Sequence, residues 1–303
     1  METENNDKLI VPTIDEPLKI ASTEAFEAWG QTGIGGRKEN QDNYGGLLKD
    51  DTLVVTVCDG MGGMKGGRTA SHLAVSEIIK AIGATKPEDM GPNALKTAIE
   101  KANTAIYNCA LAERTLRGMG TTATLLVLTP QAAYLTHVGD SRIYLLRKGK
   151  KEFRTFDHSK VMEMVAEGLI DEEQARTSSF SNIITRALGV RPDVECEVET
   201  LPYKAGDRFV LCCDGVWNAK AEPEMIAIFN GESSTEAAVR HITESVNVIG
   251  AKNGGEHDNL TVIVADMKKS SVFQYSIARK MGQSISRQKS RFASWCRNRK
   301  KSK

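Results

Sequence analysis

TATLLVLTPQAAYLTHVGDSRIYLLRKGKKEFRTF, residues 122–156, contains three short apolar runs: TATLLVL (122–128), AYLTHV (133–138) and RIYLLR (142–147). Each is rich in Val, Ile, Leu and Thr and is bounded by turn residues, so each reads as a buried strand. The links are Thr129-Pro130-Gln131, Gly139-Asp140-Ser141 and Lys148-Gly149-Lys150. Links this short permit hairpins and leave no room for a helical crossover, so these strands are expected to pair antiparallel.

The same signature recurs on either side, in TLVVTVC (52–58), RFVLCC (208–213) and LTVIVA (260–265). Between these runs lie segments with apolar residues at helical spacing. Arg68 to Ile82 has Ala70, Leu73, Ala74 and Ile78, and Ala94 to Leu111 has Ile99, Ala102, Ile106 and Cys109; Thr235 to Val248 reads as a third helix. Residues 159–188 read as two short polar helices and a Ser-rich loop inserted between strands. Strands in runs and helices in pairs argue for an α+β fold of antiparallel sheets with helices packed outside, against a doubly wound parallel sheet.

With 303 residues, 40% hydrophobic and 26% charged, the chain has enough apolar material for a sizeable core. Residues 1–25 read as a variable leader without the apolar stretch of a signal peptide, residues 26–267 as the main domain and 268–303 as a tail. No apolar run approaches the ~20 residues needed to span a bilayer. The six cysteines form no CxxC pair, which gives no support to a zinc ribbon or a thioredoxin motif and fits a reducing, cytoplasmic setting. GMGGMKGG lacks both GxGxxG spacing and the Gly-Lys-Ser/Thr of a nucleotide loop. The net charge of +1 hides an asymmetry. Lys268 to Lys303 carries twelve Lys or Arg and no Asp or Glu, so the body is acidic and the tail basic.

The chemistry concentrates where strands end. VVTVC runs into Asp59-Gly60, FVLCC into Asp214-Gly215 and YLTHV into Gly139-Asp140, while Asp258 sits just before LTVIVA. In antiparallel sheets the end of one strand lies beside the start of its neighbour, so four carboxylates can meet at one edge. Such a cluster repels itself unless protons or cations cancel its charge. Oxygen donors without an HExxH histidine pair favour Mg²⁺ or Mn²⁺ over zinc. A single Asp-Gly after a strand is ordinarily just a turn, and spacing alone leaves turns and a metal site both open. Ahead of these stands Gly36-Arg37-Lys38-Glu39-Asn40-Gln41-Asp42, in which Arg37 offers a planar fork suited to phosphate oxygens; a surface arginine is the plainer alternative.

Together these segments resemble the type 2C metal-dependent protein phosphatases, in their bacterial more than their animal branch. The resemblance runs in order through Arg37 to Asp42, Val57-Cys58-Asp59-Gly60-Met61-Gly62-Gly63, Gly118-Met119-Gly120-Thr121-Thr122 and Val138-Gly139-Asp140-Ser141-Arg142. It continues through Ile184-Thr185-Arg186-Ala187-Leu188-Gly189, Gly206-Asp207 to Asp214-Gly215-Val216-Trp217, and Asp258-Asn259-Leu260-Thr261-Val262. It implies two antiparallel sheets packed as a sandwich with helices on both outer faces, and a flap at about 159–188. It implies hydrolysis of phosphoserine and phosphothreonine in proteins, reversing a Ser/Thr kinase, by a water activated between two Mn²⁺ or Mg²⁺ ions, with a third possible. Asp59 would bridge the cations, the Gly60 carbonyl would join one, and Asp214 and Asp258 would complete the other. Asp140 with Asp214 would form a weaker third site. Asp42 would hold metal-bound waters, with Gln41 and Asn259 as further outer candidates, and Arg37 would bind the substrate phosphate.

Three departures qualify the resemblance. Gln41 stands where animal members carry Glu, and Met61 where they carry a His considered as a general acid. A thioether donates no proton, so a metal-bound water becomes the candidate for protonating the leaving alkoxide. Ser179-Phe180-Ser181-Asn182 differs from the His-Pro version of many bacterial relatives. A catalytically dead phosphoprotein-binding module is the alternative outside enzymes, but such modules usually lose a paired carboxylate, and here Asp59, Asp214 and Asp258 are all present. A phosphatase of small phosphate esters is the alternative within enzymes. A monomer is expected.

The tail has two readings. One is a solvated extension. The other is a basic amphipathic helix, since Phe273, Ile277, Met281, Ile285, Phe292 and Trp295 fall within an arc of roughly 120° at helical pitch, facing an acidic partner, a membrane surface or the protein's own acidic body. No nucleic-acid recognition motif accompanies it.

Overall fold

Twelve strands and seven helices follow one another in the computed structural model, which describes residues 15–271. The strands are β1 (Leu18–Ser22), β2 (Phe26–Gly33), β3 (Asp42–Lys49), β4 (Thr52–Met61), β5 (Gly120–Thr121), β6 (Ala123–Leu128), β7 (Ala133–Val138), β8 (Arg142–Arg147), β9 (Lys150–Arg154), β10 (Val198–Leu201), β11 (Arg208–Cys212) and β12 (Leu260–Met267). The helices are α1 (Gly63–Gly83), α2 (Pro92–Ala112), α3 (Lys160–Ala166), α4 (Glu172–Thr177), α5 (Asp214–Trp217), α6 (Glu222–Gly231) and α7 (Thr235–Lys252).

One sheet runs β1-β2-β12-β11-β8-β9 and the other β10-β7-β6-β4-β3, with the short β5 on the end of β4. Every pairing is antiparallel. Side-chain alternation makes this a sandwich. In β4, Leu53, Val55 and Val57 belong to the core between the sheets, while Val54 and Cys58 belong to the core under α1 and α2. β6 repeats the pattern, with Leu126 and Leu128 on one side and Leu125 and Val127 on the other. Both faces of each central strand are dry, and each fully buried Leu or Val contributes about 1.5–3 kcal/mol.

Helices cover both outer faces. α1 lies on β3 and β4 and packs against α2, and α7 lies on β2 and β12 with α6 beside it. The buried residues of α1 (Ala70, Ala74, Ile78, Ile82) and α7 (Ala238, Val239, Ile242, Val246) follow the 3.6-residue period. Ser234 caps α7 by accepting from the Ala237 amide at 3.0 Å. None of these helices is long and apolar enough to cross a membrane.

Three expectations change. The hairpin across Gly139-Asp140-Ser141 does not form. β7 pairs with β6 and β10, β8 with β9 and β11, and the link carries the chain from one sheet to the facing one. Gly139 makes that corner at φ 99°, where a Cβ would also strike Thr122. The leader is ordered in part, because Leu18–Ser22 pairs with β2 and buries Ile20 and Ala21. Asp59 and Gly60 are not in a turn after a strand. They continue β4, paired with Asp42 of β3 and Thr121 of β5 respectively. The segment 159–188 does hold two short helices, α3 and α4, with a small apolar cluster of Phe156, Val161, Met162 and Ala175. The tail beyond Ser271, with ten of its twelve cations and the amphipathic pattern, lies outside the described residues.

Candidate active site

Five aspartates come together where the two sheets meet. Asp42 and Asp59 face each other across β3 and β4. Asp140 stands on the corner between the sheets, Asp214 opens α5 two residues after β11 ends, and Asp258 lies two residues before β12. β11 and β12 bring the last two together, because the Cys213 amide donates to the Thr261 carbonyl at 3.1 Å. The chain passes so close here that a Cβ on Gly215 would collide with the Asn259 carbonyl. Gly60 is equally confined, with the Gly67 carbonyl of α1 where a Cβ would sit.

The backbone of Asp59 is fixed from both sides. Its amide donates to Thr122 Oγ1 at 2.9 Å, and its carbonyl accepts from the Thr122 amide and from Thr121 Oγ1, each at 2.8 Å. Thr122 Oγ1 also meets Ser141 Oγ at 2.7 Å, which joins Asp59 to the corner bearing Asp140. Asn259 organises the loop ahead of β3. Its side chain donates to the carbonyls of Ile34 (2.8 Å) and Glu39 (3.1 Å) and accepts from the Gln41 amide at 2.9 Å. The Gln41 carbonyl in turn accepts from Ser71 Oγ of α1 at 2.6 Å.

The electrostatics are those of a crowded anionic site. Burial, then repulsion from Asp42, Asp214, Asp140 and Asp258, pushes the Asp59 carboxyl well above its ordinary range. Burial and Asp214 do the same to Asp140, and burial and Asp258 raise Asp214. Burial raises Asp42 to about 7 against the opposing pull of the Thr261 hydroxyl and the Cys213 thiol. Asp42 Oδ2 accepts from Thr261 Oγ1 at 2.7 Å, while its buried Oδ1 has no hydrogen-bond partner among the described residues.

Arg37 lies beside this cluster with its side chain more than half exposed. Its Nε and one terminal nitrogen donate to the two oxygens of Asp258, at 3.0 and 2.7 Å. Hydrogen bonding to Asp258, its charge, and those of Asp214 and Asp59 hold the guanidinium firmly protonated. The arginine expected on phosphate and the aspartate expected on a cation are thus partners.

Among the described residues no three acidic, histidine or cysteine side chains converge on one point. The cluster is instead a chain of near neighbours, and its donors are carboxylates and the Gly60 carbonyl. All are hard oxygens, the set that Mg²⁺ and Mn²⁺ accept. The partnerless Oδ1 of Asp42 and the mutual repulsion of Asp59, Asp140 and Asp214 are features that a cation with its waters would satisfy, so the residues fit a divalent metal. Thr121, Thr122 and Trp217 fall within the motifs quoted above, yet nothing in their spacing marked them as supports. Paired hydroxyls at the head of an apolar strand are the only signal that Thr121 and Thr122 gave.

Comparison with known proteins agrees with this geometry. Residues 30–236 match the family described as Protein phosphatase 2C. The serine/threonine phosphatase stp of Listeria welshimeri is 36% identical over 236 residues, covering 76% of this chain and 91% of that protein. The crystal structure of the Mycobacterium tuberculosis serine/threonine phosphatase PstP/Ppp superposes with a TM-score of 0.69 at 30% identity, over 80% of this chain and 99% of that one. A structure of the PstP catalytic domain in complex with two manganese ions matches with a TM-score of 0.69 at 29% identity, over 80% and 98%. The ordered motifs, the two-sheet sandwich and these likenesses place the chain in the protein phosphatase 2C family, among its bacterial serine/threonine phosphatases.

Proposed function

We propose that this chain hydrolyses phosphoserine and phosphothreonine esters of proteins with two divalent cations, Mn²⁺ or Mg²⁺, held by Asp59, the Gly60 carbonyl, Asp214 and Asp258. The observation that carries the reading is the group of five aspartates at one edge of the sandwich, in which burial and neighbouring carboxylates raise the pKa of Asp42, Asp59, Asp140 and Asp214, with a buried carboxylate oxygen of Asp42 left unpaired. When bound, the cations supply Lewis acidity, which acidifies water and neutralises charge on the phosphoryl oxygens.

The chain's own residues do the positioning. Thr121 and Thr122 lock the peptide of Asp59, so its carboxylate does not have to reorganise as charge builds in the transition state. Asp42, anchored by Thr261 through one oxygen, offers the other to a water. The Gln41 side chain is a second hydrogen-bonding group near such a water and adds no charge. Asn259 holds the loop that presents Arg37, whose planar fork suits two phosphoryl oxygens. Asp140 with Asp214 is the proposed weaker third cation site. Met61 provides no proton, so the leaving alkoxide is protonated by water and not by a side chain at this position. In the cell, the substrates would be phosphoproteins of a cognate Ser/Thr kinase, met by a cytoplasmic monomer.

The test is hydrolysis of a phosphothreonine peptide with and without Mn²⁺, by the wild type and by Asp59→Asn, with p-nitrophenyl phosphate alongside. Metal-dependent turnover lost in the variant supports the reading. Full activity in excess chelator or in Asp59→Asn would overturn it, and a preference for the small ester would replace the protein substrate.

A further inference from the structure

The corner that carries Asp140 is held by a residue outside the carboxylate cluster. Trp217 closes the single turn of α5, three residues after Asp214. Its indole Nε1 donates to the Asp140 carbonyl at 3.0 Å. The guanidinium carbon of Arg142 lies 3.6 Å from the centre of the Trp217 ring. Arg142 is itself fixed, donating to both oxygens of the buried Asp157 (2.9 and 2.7 Å) and to the Tyr144 hydroxyl at 3.2 Å. Residues three apart on a helix share a face, so one short turn carries both the Asp214 carboxylate and the donor that fixes the peptide of Asp140.

We infer that Trp217 is a positioning residue for the Asp140–Asp214 cation site, an inference that rests on the reading of Asp140 as a cation ligand. Three facts support this. Asp140 is almost wholly buried and repelled by Asp214, so its carboxylate has a reason to turn away from the cluster. The carbonyl of its own peptide is tied to the helix that begins at Asp214, which limits that movement. The ring making the tie is stacked on an arginine that is itself locked by a buried bidentate ion pair, so it cannot shift independently. Trp217 also lines a cavity of about 170 Å³ between the flap and α6, whose walls include Glu172, Ala175 and Arg176 of α4 and Lys220.

The experiment is Mn²⁺ binding to the full chain by calorimetry without substrate, for the wild type, Trp217→Phe and Asp140→Asn. Phenylalanine keeps a ring over Arg142 and removes the N–H. The expected result is a weakest Mn²⁺ step weakened about three- to tenfold, the worth of one hydrogen bond, with KM for p-nitrophenyl phosphate unchanged. In a chain carrying Trp29→Phe and Trp295→Phe, Trp217 is the sole tryptophan, and its emission should change with the same half-saturation as that weak step. If Asp140→Asn weakens the step while Trp217→Phe matches the wild type, the Trp217 role is wrong and the ligand reading stands. If Asp140→Asn binds Mn²⁺ like the wild type, both are wrong. An emission that does not respond to Mn²⁺ also overturns the proposal.

Discussion

Arg37 and Asp258 hold each other through two parallel hydrogen bonds of 3.0 and 2.7 Å, across 221 residues of chain. Both side chains are substantially exposed, so the pair contributes about 0–1 kcal/mol to stability. Its meaning is competitive, since a phosphate and a cation would each claim one partner. Arg37→Ala should lower kcat/KM for a phosphopeptide by about 100-fold or more, and Arg37→Lys should recover little of it, because an ammonium cannot reproduce the fork. Mn²⁺ binding without substrate should be as tight as in the wild type or tighter, since Asp258 is released. Weaker Mn²⁺ binding in Arg37→Ala would show instead that the arginine props the aspartate in place.

The carboxylate cluster should make the chelated protein sensitive to rising pH. Asp42 is raised from 3.8 to about 7 in the fold, so between those values the folded chain keeps a proton that the unfolded chain has lost. The unfolded state binds fewer protons there, and stability falls as pH rises. In chelator, the contribution of Asp42 is complete below about pH 4 and lost by about pH 7. Melting temperatures of the wild type relative to Asp42→Asn should therefore decline across that window, and added Mn²⁺ should reverse the decline. Asp59→Asn should abolish activity yet raise the melting temperature in chelator, because one member of a self-repelling group is gone. A lower melting temperature in Asp59→Asn would mean that repulsion is not what strains this edge.

A buried histidine pair pulls in the opposite direction. His137 and His158 stack with ring centres 4.5 Å apart. His137 Nε2 donates to the Phe156 carbonyl at 3.0 Å, and His158 Nδ1 accepts from the Gly139 amide at 3.2 Å. Burial lowers His137 to about 4; burial, then the neighbouring His137 and Arg186, lowers His158 well below its usual value. Both rings are neutral in the fold and charged when unfolded below about pH 6.5, so the unfolded state takes up protons there and stability falls with falling pH. The contribution is complete above pH 6.5 and eroded toward pH 4. Asn at position 137 should flatten the acid side of the melting profile. An unchanged profile would place the acid sensitivity elsewhere.

The sequence exposed most of the sandwich because its central strands are buried on both faces and so read as unbroken apolar runs. β2 and β3 were not legible. FEAWGQTG and DNYGGLLK mix Gly and polar residues with apolar ones, and they are strands because β12 and β4 pair with them. The corner at Gly139 was misread because three residues suffice for a hairpin and equally for a crossing between sheets. Which occurs depends on the partners β10 and β11, far away in sequence. At the site, ordered motifs pointed to the aspartates, but the grip of Arg37 on Asp258 is a tertiary contact that no local pattern encodes. The same holds for Thr122, whose hydroxyl joins Asp59 to Ser141 only once three strands have assembled.

Residues 159–188 are tied to the body through a buried cation. Arg154, at the end of β9, donates from one terminal nitrogen to Glu172 of α4 and to Glu222 of α6, each at 3.0 Å. Burial and the neighbouring Arg142 work against its charge, while Asp157, Tyr144 and Glu222 favour it. α3 and α4 have only a small apolar cluster of their own, and α4 is mostly exposed, so this link should govern how often the segment opens. Arg154→Ala leaves Glu222 partly buried with Lys151 as its one ion-pair partner among the described residues, and breaking a buried pair in this way costs about 3–5 kcal/mol at most. Limited proteolysis should then cut within 159–188 at least several-fold faster than in the wild type, while the sandwich core keeps its hydrogen-exchange protection. Arg154→Met retains the stem and removes the charge, so it should fall between the two. Equal cleavage rates in all three chains would show that packing of Phe156, Val161 and Met162, and not the ion pair, holds this segment down.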